Sequence, residues 1–219
     1  MNYRNTRCYQ NCEKRMFDGV GEFRFPEIKP VNVDVEDTPM LGFNYALSER
    51  HPNEKICHFF MDDYQFERVW NNADKYLNVL RYFKAVCSPD FSLYFDFPKV
   101  IQMYNHYRRQ WCGAYWQEFG IKVIPTVRWS DESSYDWCFE GIPKHSLVCI
   151  STVGGFRELE VRKLWLKGYE KALEVLEPSH ILFYGKVHDE IECPVPYTCA
   201  VNQNTQKLEQ ESERFKKIP

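Results

Sequence analysis

Between residues 56 and 185, short apolar runs alternate with stretches of helical periodicity, and no other feature constrains the fold as much. Strands that alternate with helices pair in parallel through crossover connections. The apolar runs lie at 42–47, 56–61, 84–88, 121–129, 146–150 and 180–183. About six strands are fewer than the eight of a closed barrel. The expected class is therefore α/β, with mostly parallel strands alternating with helices in a partial barrel or an open doubly wound sheet. In both arrangements ligands bind at the carboxyl ends of the strands.

Three helical stretches fill the gaps. Phe66, Val69, Trp70, Ala73, Leu77 and Leu80 recur at helical spacing, with Asp62 and Gln65 as a capping box ahead of them. A second helix starts with Pro98 in its first turn and ends at Gly120. Its apolar face is Val100, Tyr104, Tyr107, Trp111 and Tyr115, which leaves Arg108 and Arg109 on the wet face. A third begins near Phe156, carries Leu159, Leu166, Tyr169, Leu173 and Leu176, and stops before Pro178.

Residues 1–40 show no periodicity and carry Pro26, Pro30 and Pro39, so they read as an extended arm lying over a single domain at 41–200. Residues 201–219 form a polar, charged tail. No apolar run is long enough to span a bilayer, and Met1-Asn2-Tyr3-Arg4 precedes no signal-peptide core. The expectation is a soluble, cytoplasmic protein without a membrane partner. A net charge of -3 supplies no global field for nucleic acid, although local basic patches remain open to it.

The nine cysteines are odd in number and scattered, and Cys57, Cys87 and Cys149 sit inside apolar runs. That is the pattern of reduced, packed thiols. Cys8 and Cys12 have the look of two cluster ligands, but Arg15 stands where an iron–sulfur loop needs its third cysteine. Adding Cys193 and Cys199 makes a four-thiol zinc set, with spacings looser than those of zinc ribbons.

The stretch Ser151-Thr152-Val153-Gly154-Gly155 ends one apolar run and opens the third helix. Strand, glycine turn and helix in that order bring backbone N–H groups close to an anion. Tyr184-Gly185 closes the last run in a second tight turn. Two such loops on one rim are a common phosphate cradle. Arg128, near the end of a buried-looking strand, needs a carboxylate or a phosphate as partner. The phosphate-binding candidates are thus Arg128, Ser151, Thr152, Gly154, Gly155, Tyr184 and Gly185. Asp90 and Asp131 are the catalytic candidates, as acid and base or as ligands to a divalent metal ion. Asp62, Asp63, Ser92 and Ser130 share the same rim. Each also has a plain structural reading: the aspartates as caps or turns, the glycines as tight turns, Tyr184 as packing.

Five segments carry a resemblance: Pro89-Asp90-Phe91-Ser92, Gly120-Ile121-Lys122-Val123-Ile124-Pro125, Arg128-Trp129, Ser151-Thr152-Val153-Gly154 and Tyr184-Gly185. Across about 56–185 the chain resembles an uncharacterised domain-of-unknown-function family of bacteria, phages and mobile elements. The resemblance implies a phage or mobile-element setting and transfers no activity. Three functions fit. The first is an enzyme acting on a nucleotide, a nucleic-acid end or another phosphorylated molecule. The second is a module that holds a nucleotide or nucleic acid without turnover. The third is a protein-interaction factor.

Overall fold

The computed structural model describes residues 9–156 and 158–200. All its named strands pair in parallel. β1 (Met40–Gly42), β2 (Ile56–His58), β3 (Ala85–Cys87) and β4 (Val123–Ile124) form one four-stranded sheet in chain order. β5 (Thr126–Val127), β6 (Leu147–Ser151), β7 (His180–Tyr184) and β8 (Tyr197–Cys199) form a second, again in chain order.

Only Pro125 separates β4 from β5. Proline has no N–H to give to a ladder, so the pairing changes sides there. Its carbonyl accepts from the Cys149 N–H at 2.8 Å. On the other side, the Thr126 N–H donates to Ser88 Oγ at 2.8 Å, and Thr126 Oγ1 donates to the Ser88 carbonyl at 2.6 Å. β4 and β5 are thus two halves of one strand, and the two sheets run on as one curved layer. Consecutive strand order is the winding of a partial barrel; a doubly wound sheet reverses direction midway. Among the described residues no pairing joins β8 to β1, so the barrel is not closed.

Side chains alternate between the two faces of the layer. Cys57, Val86 and Val123 face a cluster with Trp70, Trp111 and Trp116; Val148, Ile150 and Phe183 face one with Trp165 and Tyr169. Burying each such large apolar side chain is worth about 1.5–3 kcal/mol. The helices are α1 (Asp63–Phe66), α2 (Arg68–Asn71), α3 (Ala73–Leu80), α4 (Lys99–Glu118) and α5 (Leu159–Leu176). The opposite face carries Met40, Ile56, Ala85, Cys87, Ile124, Leu147, Cys149, Leu182 and Tyr184. Val31, Val33 and Val35 of the arm alternate onto that face, and Thr198 Oγ1 on β8 donates to Glu36 Oε1 at 3.0 Å.

Several expectations need correction. The helix read across 66–80 is three short pieces: α1 and α2 are parted by a turn at Glu67, and α2 and α3 by Asn72, which leaves helical geometry at φ -139°, ψ 58°. β1 lies earlier than the run at 42–47, where Phe43–Tyr45 is a 3-10 turn. β8 was hidden behind Pro194 and Pro196, which an edge strand tolerates. The largest change is in α4. Arg108 and Arg109 are buried, not wet, whereas Val100 is 69 % exposed. The arm covers the face of α4 that carries Trp111, whose Nε1 donates to the Arg15 carbonyl at 3.0 Å. The side chain of Gln117 bonds both backbone groups of Lys29. α4 is thus covered on more than one face, and Arg109 reaches the carbonyls of Pro89 and Phe91 in the turn after β3.

The eight cysteines among the described residues are free thiols, and among those residues no group of three or more histidine, cysteine or acidic side chains is placed to hold a metal ion. Cys8 and the tail at 201–219 lie outside the described residues. No helix among the described residues is long and apolar enough to cross a membrane.

Candidate functional site

The chain leaves β3 through Ser88 and Pro89 and reaches Asp90 at the carboxyl rim of the layer. Arg109, from the middle of α4, lies beneath this turn and is fully buried. Its Nε donates to the Pro89 carbonyl at 3.1 Å and its Nη2 to the Phe91 carbonyl at 2.7 Å. The same Nη2 lies 3.6 Å from Asp90 Oδ1. Burial pulls the Arg109 pKa down to about 10, against the opposing pull of Asp90, so it stays charged at neutral pH. Arg128 follows β5 and brings Nη1 to 3.8 Å from Asp90 Oδ2, with 29 % of its side chain exposed. Asp90 is therefore shared by two guanidinium groups, one sealed in the core and one open at the rim. Asp90 Oδ1, Arg109 Nη1 and Ser130 Oγ are buried atoms with no hydrogen-bond partner among the described residues. Buried polar atoms in that condition are uncommon in folded proteins.

Asp63 opens α1, and both its carboxylate oxygens accept from Ser92, from the N–H at 3.1 Å and from Oγ at 2.8 Å. Burial raises the Asp63 pKa; the Ser92 hydrogen bonds oppose the rise and the Asp90 charge adds to it. Asn105 Nδ2 donates to the Ser92 carbonyl at 2.7 Å. Arg108 donates to Asn105 Oδ1 at 2.6 Å and to Glu67 Oε1 at 2.8 Å, with its guanidinium 3.9 Å from the Phe91 ring centroid. At the end of β2, burial lowers the His58 pKa to about 3, so the ring is neutral under ordinary conditions. Its centroid lies 4.4 Å from that of Tyr184, and Phe60 stacks on Tyr184 at 4.7 Å.

Of the residues singled out in the sequence, Asp90 and Arg128 come together. Asp131 does something else: its Oδ1 accepts from the Ser133 N–H and Oγ, capping the 3-10 turn Glu132–Ser134. Ser151, Thr152 and Gly185 interlock, and their turns use up donors expected to be free. The Thr152 N–H donates to the Tyr184 carbonyl at 3.0 Å, Val153 N–H to Ser151 Oγ at 3.2 Å, and Gly155 N–H to the Thr152 carbonyl at 3.2 Å. α5 starts only at Leu159, so the glycine turn is not its first turn. A Cβ on Gly155 would come within 2.4 Å of the Trp165 ring, and one on Gly185 within 2.5 Å of Thr152 Oγ1. These two glycines serve packing. Gly154, at φ +83°, faces open space.

Sequence reasoning missed Arg109 and the Asp63–Ser92 contact. The signal for Arg109 was a second stripe at helical spacing, Gln102, Asn105, Arg109, Cys112 and Trp116, all buried. Two open clefts, of about 600 and 660 Å³, lie elsewhere. The first runs along α5 and includes Tyr169 and Cys193; the second lies between the arm and the start of β6 and β7.

The family described as a domain of unknown function (DUF4417) matches residues 17–202. The Gene 1 protein of Mycobacterium phage L5 is 34% identical over 182 residues, which cover 81% of this chain and 79% of that protein. The Gene 1 protein of Mycobacterium phage D29 is 39% identical over 139 residues, covering 63% of this chain and about half, 52%, of that protein. No solved structure matches the chain.

Proposed function

The chain belongs to the DUF4417 family, and from that starting point we propose that its carboxyl rim binds and transforms a phosphate-bearing ligand. The observation that carries this reading is Asp90, held between the buried Arg109 and the rim-facing Arg128. At 3.8 Å the Arg128–Asp90 pair is an ion pair without a short hydrogen bond, which leaves the guanidinium fork with donors for an incoming anion. Arginine suits this role because its planar fork matches two phosphate oxygens at once. Asp90, backed by Arg109, stands beside the ligand and is the group to accept a proton from a ligand hydroxyl or water. Asp63, whose two carboxylate oxygens both accept from Ser92, holds the loop after Asp90 in place. Anion binding is assigned to Arg128 rather than to the glycine turn, where the Thr152, Val153 and Gly155 N–H groups are engaged within the protein. The phage relatives agree with the expected setting and say nothing of the chemistry.

The test is native mass spectrometry of freshly purified protein against its denatured mass, followed by titration with a panel of nucleotides. A bound phosphate compound, or binding from the panel, supports the reading. Turnover abolished by Asp90→Asn with binding retained assigns the chemistry to Asp90. A ligand-free mass together with no binding across the panel overturns the proposal.

A further inference from the structure

The cleft of about 600 Å³ along α5 has the size of a small-molecule site. Leu166, Tyr169, Glu170 and Leu173 form one wall, spaced as neighbours on a single helix face. Glu190, Glu192, Cys193 and Pro194, from the chain after β7, form the other. There Ile191, Cys193 and Val195 pack on the cluster that holds Trp165 and Phe183, and Glu190 and Glu192 between them are exposed.

The protein leaves two of the three cleft carboxylates without a cation. α5 carries Arg162, Lys163, Lys167 and Lys171. The three lysines pair with Glu160, Glu132 and Glu174, none of which lines the cleft. Arg162 pairs with Glu190 at 3.1 Å. Among the described residues Glu170 and Glu192, one on each wall, have no ion-pair partner.

Tyr169 supplies an independent sign of a ligand. It is 2% exposed, and its ring stacks on Trp165 with centroids 5.3 Å apart, so it is held in place. Its hydroxyl is a buried group with no hydrogen-bond partner among the described residues. The neighbouring Cys193 thiol gives its own proton to the Val195 carbonyl at 3.3 Å, and its sulfur is only a weak acceptor. Burial, with Cys193 adding to it, raises the Tyr169 pKa, so the hydroxyl keeps its proton. A buried tyrosine hydroxyl usually finds a partner.

The lining selects the ligand. Three carboxylates repel an anion. A metal ion needs a compact set of ligands, and among the described residues no such set exists. A neutral apolar molecule would leave the carboxylates and the hydroxyl unmatched. An alkylammonium matches them: its N–H groups donate to carboxylate and phenol oxygens, and its methylenes lie on Leu166, Leu173 and Pro194. One unpaired carboxylate on each wall calls for two ammonium groups.

We infer that this cleft binds an aliphatic diamine as its dication, with one ammonium at Glu170, the other at Glu192, and the Tyr169 hydroxyl accepting from one of them. None of these residues belongs to the cluster around Arg128, so the inference does not rest on the anion-site reading. The test is isothermal titration of the full chain with straight-chain diamines from putrescine to diaminooctane. The monoamine and the diol matching the tightest diamine serve as comparisons. The diamine binds about tenfold more tightly than the monoamine, and the diol does not bind. Glu170→Gln and Glu192→Gln each weaken diamine binding about tenfold, the loss of one charge-assisted contact. Tyr169→Phe keeps the stacked ring and weakens binding several-fold. Arg128→Ala leaves it unchanged. An unchanged melting temperature shows that each variant is folded. No binding of any diamine, a diol that binds as well, or glutamine variants that bind normally would each overturn the inference. A monoamine as tight as the diamine would overturn the two-ammonium assignment and point to a single lysine-like group.

Discussion

Arg109 places Nη2 3.6 Å from Asp90 Oδ1 while none of its own side chain reaches solvent. A buried guanidinium is costly unless a partner offsets its desolvation. Here the offset comes from one carboxylate and the carbonyls of Pro89 and Phe91. The charge at the rim is thus fixed from below by a helix.

Removing that support destabilises the fold. Arg109→Met keeps most of the volume but strands Asp90 with Arg128 alone. Breaking a buried pair costs about 3–5 kcal/mol, and for a chain of this size the melting temperature falls by roughly 6–20 °C. Arg109→Lys keeps the charge and loses the fork, so it melts between the two. A calorimetric melting temperature unchanged in Arg109→Met would show that the pair adds nothing.

Gly168, inside α5, offers a case where two effects compete. In a bare helix Gly→Ala stabilises by about 1 kcal/mol. Here the added Cβ would come within 2.1 Å of the Trp129 ring, and overpacking a core costs about 1–3 kcal/mol. Gly168→Ala is expected to lower the urea midpoint; a rise would mean that Trp129 moves freely.

How far the sequence reached differs between fold and site. Alternating periodicity exposes the parallel strands because it is local and repeated. Face assignment on α4 failed because the arm, which has no periodicity, covers the Trp111 side while Arg109 reaches the turn after β3. The turn at Gly154-Gly155 was legible as a turn. Whether its N–H groups stay free was not, since one acceptor, the Tyr184 carbonyl, comes from another strand. The Asp63–Ser92 contact joins residues 29 apart, and no spacing rule reports such a pair.

Acid sensitivity follows from the buried histidines. Burial lowers both His58 and His106 to about 3, whereas in the unfolded chain they titrate near 6.5. As pH falls below about 6.5 the unfolded chain binds protons that the native protein refuses. Stability from these groups is present above that pH and is lost towards pH 3, each contributing about 1.4 kcal/mol per pH unit. His58→Asn keeps an acceptor for the Phe60 N–H and reduces the slope of urea stability between pH 6 and 4 by about 1.4 kcal/mol per unit. An unchanged slope would mean that His58 protonates in the native state.

The most direct measurement is isothermal titration of the unaltered and Arg128→Ala proteins with a nucleoside monophosphate. Arg128 is partly exposed and its contact with Asp90 is long, so the variant keeps its fold. Loss of a charge-assisted contact is expected to weaken binding by about tenfold or more. Equal affinity in the two proteins would contradict the account and place the ligand, if there is one, away from this rim.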